Sequence, residues 1–128
     1  MTTTLAIVGA GGFGRETYDL IRSGDPYGER WRISGFIDSN VDDALLSDIG
    51  SRWLGTDEDF LGAPCSDSVL IAVGDPFLRA RLAEMYEAAG ALIETYTHPS
   101  AILGSRTVVG RGSILSAGAM VMNNSRVG

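Results

Sequence analysis

The 128-residue sequence predicts an α/β fold: a small parallel sheet with flanking helices that runs into the first coils of a β-helix. Two patterns carry that prediction. As far as Thr97, short unbroken apolar runs alternate with stretches of helical periodicity, and from Ala101 onward a period of six replaces both. A hydrophobic content of 45% over this length is enough to close one core and too little for two full domains, so one complete domain with an appendage is expected.

The elements follow in order. Leu5-Ala6-Ile7-Val8 is apolar throughout and ends in glycines, as a strand buried on both faces does. From Phe13 to Arg22 the positions Phe13, Thr17, Leu20 and Ile21 share one helical face, and Gly24-Asp25-Pro26 stops that helix. Trp31 to Asp38 reads as a second strand, with Trp31, Ile33, Gly35 and Ile37 alternating against Arg32, Ser34 and Phe36. Val41 to Pro64 is weakly patterned and suggests only a short helix around Asp57 to Leu61. Ser68 to Val73 is another buried strand, followed by Gly74, by Asp75 as an N-cap and by Pro76 at the first helical position. The helix that follows is expected to bury Leu78, Leu82, Met85 and Ala89 and to close at Gly90. Ile93 to Thr97 completes a second strand-helix-strand unit, which requires parallel strands with right-handed crossovers.

After His98-Pro99 charged residues thin out. Stepping by six from Leu103 reaches Val109, Leu115, Val121 and Val127, all aliphatic, while stepping by six from Ala101 reaches Thr107, Ser113, Ala119 and Ser125, all small. Gly104, Gly110 and Gly128 follow the aliphatic column. Two columns at this spacing describe a solenoid that turns one aliphatic side chain inward per face and keeps small residues at its corners; a hairpin of Val and Ile would show a period of two. The division expected is residues 1–97 for the α/β domain and 98–128 for the β-helix.

Several functions are excluded by composition. Sixteen acidic against ten basic residues leave a charge of −6, which opposes binding to a nucleic-acid backbone. The single cysteine, Cys65, has no partner and no metal-ligand spacing, so it reads as an inert thiol in a reducing compartment. No basic leader precedes the short first apolar run and no segment is long enough to span a membrane, so a soluble cytoplasmic protein without a metal is expected.

Gly9-Ala10-Gly11-Gly12-Phe13-Gly14 matches G-x-G-x-x-G between a strand and a helix, where backbone N–H groups and a helix N-terminus can approach a diphosphate. Asp38, closing the second strand, stands where a carboxylate accepts from ribose or sugar hydroxyls, and Gly74 with Asp75 ends a third strand at the same edge. Each also has a plain structural reading: a turn, a loop start and a helix cap. Arg15 in the first helical turn could meet a phosphate or simply face solvent beside Glu16. The lone histidine, His98, sits at the junction ahead of Pro99, and a structural role suits it better than that of a general base. No nucleophile elbow, zinc spacing or carboxylate pair occurs, so no catalytic residue is assigned.

The succession of Leu5 to Glu16, Gly35-Phe36-Ile37-Asp38, Ile71-Ala72-Val73-Gly74-Asp75, His98-Pro99-Ser100-Ala101 and then hexapeptides resembles the NeuD-type sialic-acid O-acetyltransferases and the related amino-sugar N-acetyltransferases of bacterial surface-glycan synthesis. The resemblance covers the whole chain. It implies a small Rossmann-like domain followed by a left-handed β-helix, a homotrimer, a nucleotide-sugar substrate and acetyl-coenzyme A as co-substrate. It also implies that Gly9, Gly11, Gly12, Phe13, Gly14, Asp38, Ser39, Gly74 and Asp75 surround the nucleotide sugar. Phe13 departs from the family, where many members have histidine. The family's catalytic histidine and most of its acetyl-coenzyme A groove belong to later coils. The columns here stop in mid-repeat at Val127-Gly128, so the chain is expected to be the substrate-binding part of an acetyltransferase, truncated and inactive alone. The competing readings are a nicotinamide-dependent oxidoreductase or redox-sensing module, which the hexapeptides oppose, and a non-catalytic scaffold that trimerises through the β-helix.

Overall fold

A computed structural model describes residues 2–62 and 68–122, and residues 126–127 as backbone alone. Cys65, Ser125 and Gly128 therefore lie outside the described residues. The first part of the chain runs β1 (Thr3–Val8), α1 (Gly12–Gly24), β2 (Trp31–Ile37), α2 (Asp43–Asp48), β3 (Trp53–Gly55), α3 (Asp57–Leu61), β4 (Ser68–Ile71) and α4 (Pro76–Ala88). Its four strands form one parallel sheet in the order β3-β2-β1-β4. β1 lies between β2 and β4, and Leu5, Ala6 and Ile7 expose no surface at all. Alternate side chains point to opposite faces, so Leu5 and Ile7 enter a core with Ile21 of α1, while Ala6 and Val8 enter a core with Leu82 and Tyr86 of α4. Covering both faces in this way demands an unbroken apolar run.

Three sequence expectations change. In β2, Leu5 pairs with Ile33 and Ala6 with Gly35, leaving Ser34 as an extra residue in a bulge. Gly35 has φ +153°, and a Cβ there would lie 2.6 Å from the Arg52 carbonyl oxygen. Phe36, grouped by alternation with Arg32 and Ser34, is fully buried, because helices cover both faces of the sheet and neither faces solvent. In α4 the buried positions are Leu82 and Tyr86, whereas Leu78 and Met85 are over 40% exposed and Ala89 is exposed too. A buried tyrosine needs a partner for its hydroxyl, and Tyr86 finds it in Asp57 Oδ1 at 2.7 Å. Gly90 does close the helix, with φ +84° and the Ala91 N–H returning to the Tyr86 carbonyl.

The strand expected over Ile93 to Thr97 divides. Ile93 bridges Val69 in the sheet, whereas β5 (Tyr96–Thr97) pairs with a strand of the solenoid. That solenoid continues through β6 (Ile102–Leu103), β7 (Val108–Val109), β8 (Ile114–Leu115), β9 (Met120–Val121) and β10 (Arg126–Val127). Tyr96 pairs with Ile114, Ile102 with Met120 and Val108 with Arg126, all parallel, so each strand stacks on the one 18 residues later and three repeats of six make one coil. The left-handed backbone conformation recurs every six residues, at Arg106 (φ +55°), Gly112 (φ +84°) and Gly118 (φ +74°). It precedes the small column rather than following the aliphatic one. The small side chains close the turns, since the Thr107 and Ser113 hydroxyls donate to the carbonyls of Gly104 and Gly110 at 3.0 and 2.6 Å.

Asp25 fixes the connection from α1 to β2. Its carboxylate accepts from the N–H groups of Glu29, Arg30 and Trp31 at 3.0, 3.1 and 2.8 Å. The Trp31 bond is the largest influence on its pKa; partial desolvation opposes it, the other two amides and the Arg30 charge assist, and the net effect lies below the ordinary 3.8.

Two outcomes follow. A depressed carboxylate pKa stabilises the fold above the unfolded value, and the contribution is lost as pH falls through the folded one. Asp25→Asn should therefore lower the melting temperature at neutral pH, and its gap from the native chain should close below about pH 4. Gly118→Ala meets no atom within 4 Å, so only its positive φ is at stake. It should cost about 1 kcal/mol in chemical denaturation, and an unchanged midpoint would contradict a left-handed corner there.

Candidate functional site

The C-terminal ends of β1, β2 and β4 open into one cleft of about 360 Å³. It is lined by Gly9, Gly11, Gly12, Phe13 and Gly14 of the turn into α1, by Asp38 and Ser39 after β2, and by Val73 and Gly74 after β4. Asp75 is not among the lining residues. Its side chain accepts from the N–H groups of Phe77 and Leu78 as the cap of α4. Leu78 and Leu82 of α4 supply an apolar wall, and Asp57, at the start of α3, supplies a second carboxylate that motif reasoning did not find. No Lys or Arg lines the cleft among the described residues, and Arg15 does not reach it. A larger cavity of about 490 Å³ lies between α4 and the coil, lined in part by Arg79, Glu87 and Arg111, away from the glycine turn.

The glycines of the turn divide into two kinds. Gly9 and Gly14 are required by the fold: Gly9 has φ +108°, and a Cβ on Gly14 would lie 1.8 Å from the Gly9 carbonyl oxygen. Gly11, Gly12 and Gly74 have ordinary φ, and a Cβ on any of them would meet nothing within 4 Å. Their missing side chains leave open space in the cleft itself. α1 also differs from the other helices. Asp42, Thr56 and Asp75 cap α2, α3 and α4 with side chains, whereas Gly11 offers none and no acidic residue occupies the first turn of α1. The N-terminal amides of α1 thus face the cleft without a side-chain partner.

Asp38 holds this arrangement together. Its Oδ2 accepts from the Ala10 N–H at 2.9 Å, and its Oδ1 accepts from the Ser39 N–H at 2.7 Å. The Trp53 indole N–H donates to the Asp38 carbonyl at 3.0 Å, fixing the same corner from β3.

His98 lies outside the cleft. The Ser100 N–H donates to its Nδ1 at 3.0 Å, so Nδ1 is the acceptor and the network assigns the ring proton to Nε2, which lies 3.0 Å from Ser23 Oγ. The Ser23 hydroxyl in turn donates to the Leu20 carbonyl, and Ser100 Oγ accepts from the Gly118 N–H at 3.0 Å. Both ring nitrogens are committed to joining the end of α1 to two turns of the coil. No cluster of carboxylate, imidazole or thiol groups among the described residues could hold a metal ion, and no helix there is long and apolar enough to cross a membrane.

Residues 4–86 match the family described as the PglD N-terminal domain. The chain belongs to that family. No curated protein sequence matches it. Among solved structures it is similar over its whole length to the acetyltransferase domain of PglB from Neisseria gonorrhoeae in complex with acetyl coenzyme A, at 25% identity and a TM-score of 0.74, spanning 62% of that domain. Perosamine N-acetyltransferase from Caulobacter crescentus, in complex with CoA and GDP-perosamine, shares the fold at 23% identity and a TM-score of 0.79, with 96% of this chain and 56% of that one covered. WeeI from Acinetobacter baumannii shares it at 22% identity and a TM-score of 0.71, with 98% of this chain and 59% of that one covered. A parallel sheet with flanking helices leading into a β-helix is thus the fold that this chain shares with these structures.

Proposed function

We propose that this chain carries the nucleotide-sugar site of a sugar N-acetyltransferase of bacterial glycan biosynthesis, with binding by the α/β part that precedes β5, the first strand of the β-helix. The observation that carries the reading is that Gly11, Gly12 and Gly74 line one cleft although nothing in the chain itself forbids a side chain at any of them. Open space beside backbone N–H groups, at an uncapped helix N-terminus, suits a diphosphate that must approach the main chain closely. Phe13, Asp38, Ser39 and the rest of the turn complete the enclosure, and Asp75 contributes only as a cap. Likeness to perosamine N-acetyltransferase supports an amine rather than a hydroxyl as acceptor.

In the whole protein that amine would attack the thioester carbonyl of acetyl-coenzyme A. The new C–N bond forms, the C–S bond breaks, and a base passes the amine proton to the departing sulfur, so that coenzyme A leaves as its thiol. This chain's own part is to bind and orient the sugar nucleotide. We assign the base to none of its described residues, because His98 is committed at both nitrogens. A cytoplasmic homotrimer is part of the proposal. A nicotinamide-binding module remains the second reading, favoured by the same glycine turn with a carboxylate after β2.

Parallel calorimetric titration with a UDP-sugar, a GDP-sugar, NADH and acetyl-coenzyme A tests the assignment on the native chain and on Gly12→Ala. A nucleotide sugar should bind, and the variant should weaken it by about tenfold, the effect of one to two kcal/mol lost from close backbone contact. The same variant should leave the fold unharmed or stabilise it by about 0.5 kcal/mol. Preferential binding of NADH would transfer the cleft to the oxidoreductase reading, and binding of none of the nucleotides would contradict both.

A further inference from the structure

The two cleft carboxylates are not equivalent. Both oxygens of Asp38 already accept backbone N–H groups that shape the cleft, which makes it a positioning residue. Asp57 has a different set of partners. The Tyr86 hydroxyl donates to its Oδ1 at 2.7 Å, and Tyr86 is fully buried with its ring packed on Phe60 at 5.9 Å between centroids. The backbone of Asp57 is held by a capping box, in which Thr56 accepts from the Asp59 N–H and Asp59 accepts from the Thr56 N–H. Asp57 is therefore fixed at both main chain and side chain. An ionised carboxylate offers about four acceptor positions, so the tyrosine leaves room for a ligand.

Building on the nucleotide reading of the cleft, we propose that Asp57 reads the nucleobase and selects one with two adjacent N–H donors, as guanine has, over uracil. Its place in the sheet supports this. Asp57 follows β3, and in the order β3-β2-β1 it stands two strands from the glycine turn. At roughly 4.8 Å per strand that is about 10 Å, the distance at which a nucleotide with its diphosphate over β1 and its ribose over β2 presents its base. Leu78 and Leu82 line the same cleft and offer apolar surface to a planar ring. Guanine sets N1–H and an exocyclic N–H side by side, matching the two oxygens of one carboxylate. Uracil offers one N–H between two carbonyls, whose oxygens would face the carboxylate charge. Among the described residues, no lining cation offsets that repulsion.

Calorimetric titration of the native chain, Asp57→Asn and Tyr86→Phe with GDP and UDP decides the matter. The native chain should bind GDP at least about tenfold more tightly than UDP, the discrimination expected of one two-point contact to a base edge. Asp57→Asn should remove most of that preference by weakening GDP while leaving UDP nearly unchanged. Tyr86→Phe, which keeps the carboxylate but releases it, should reduce the preference by a smaller factor, and melting curves for both variants confirm that they fold. Equal native affinities, or a preference that survives Asp57→Asn in a folded chain, would overturn the role of Asp57 while leaving a nucleotide site in place. Binding of neither nucleotide by the native chain would instead sink the reading on which it rests.

Discussion

Everything at the cleft depends on how closely α1 approaches the end of β1. The Gly9 carbonyl lies where a Cβ on Gly14 would be, so the first turn of the helix and the residue that follows the strand can touch only with no side chain between them. That contact turns the chain back sharply enough to aim the uncapped N-terminus of α1 across the sheet edge. Asp38 then ties the turn to β2 through the Ala10 N–H. The glycine turn of the cleft is thus main chain held in place by the Asp38 carboxylate. This arrangement suits a ligand recognised through phosphates, because backbone N–H groups cannot be lost by rotation of a side chain.

The other end of α1 is anchored just as firmly. A Cβ on Gly24 would come within 2.6 Å of Pro99 Cδ and 3.2 Å of the His98 ring, so the helix ends in direct contact with the junction to the coil. Ser23, His98, Ser100 and the Gly118 N–H link that contact to a second turn of the solenoid. One helix therefore touches the cleft at its beginning and the β-helix at its end. It gives the two parts of the chain a common reference, and both ring nitrogens of the lone histidine are engaged at that joint.

Much of this was legible in the residues. Leu5 to Val8 could be buried on both faces only in a parallel sheet, the glycine turn placed the cleft, and columns six residues apart specified a solenoid whose strands do stack every 18 residues. The unread features share a physical cause: they depend on contacts distant in sequence. Tyr18 and Tyr86 look amphipathic and are buried because Gly50 and Asp57, some thirty residues away, receive their hydroxyls. Asp57 escaped notice because the segment from Val41 to Pro64 is organised by caps and by a three-residue edge strand rather than by periodicity. Arg106 shares a left-handed corner with two glycines, and residue type alone does not reveal that. Of the motif residues, Asp75 had both a binding and a capping reading, and only the hydrogen bonds to Phe77 and Leu78 show the capping one.

The most direct test of the strand-end cleft as the ligand site is a map of backbone amide chemical shifts during titration with a GDP-sugar. The largest changes should fall on Ala10 to Gly14, on Ser39 and on Gly74, with little response from Arg79 or from Arg111 to Ile114. Changes centred instead on the groove between α4 and the coil would contradict the account. They would move the ligand to the larger cavity and leave the open space at Gly11, Gly12 and Gly74 without a function.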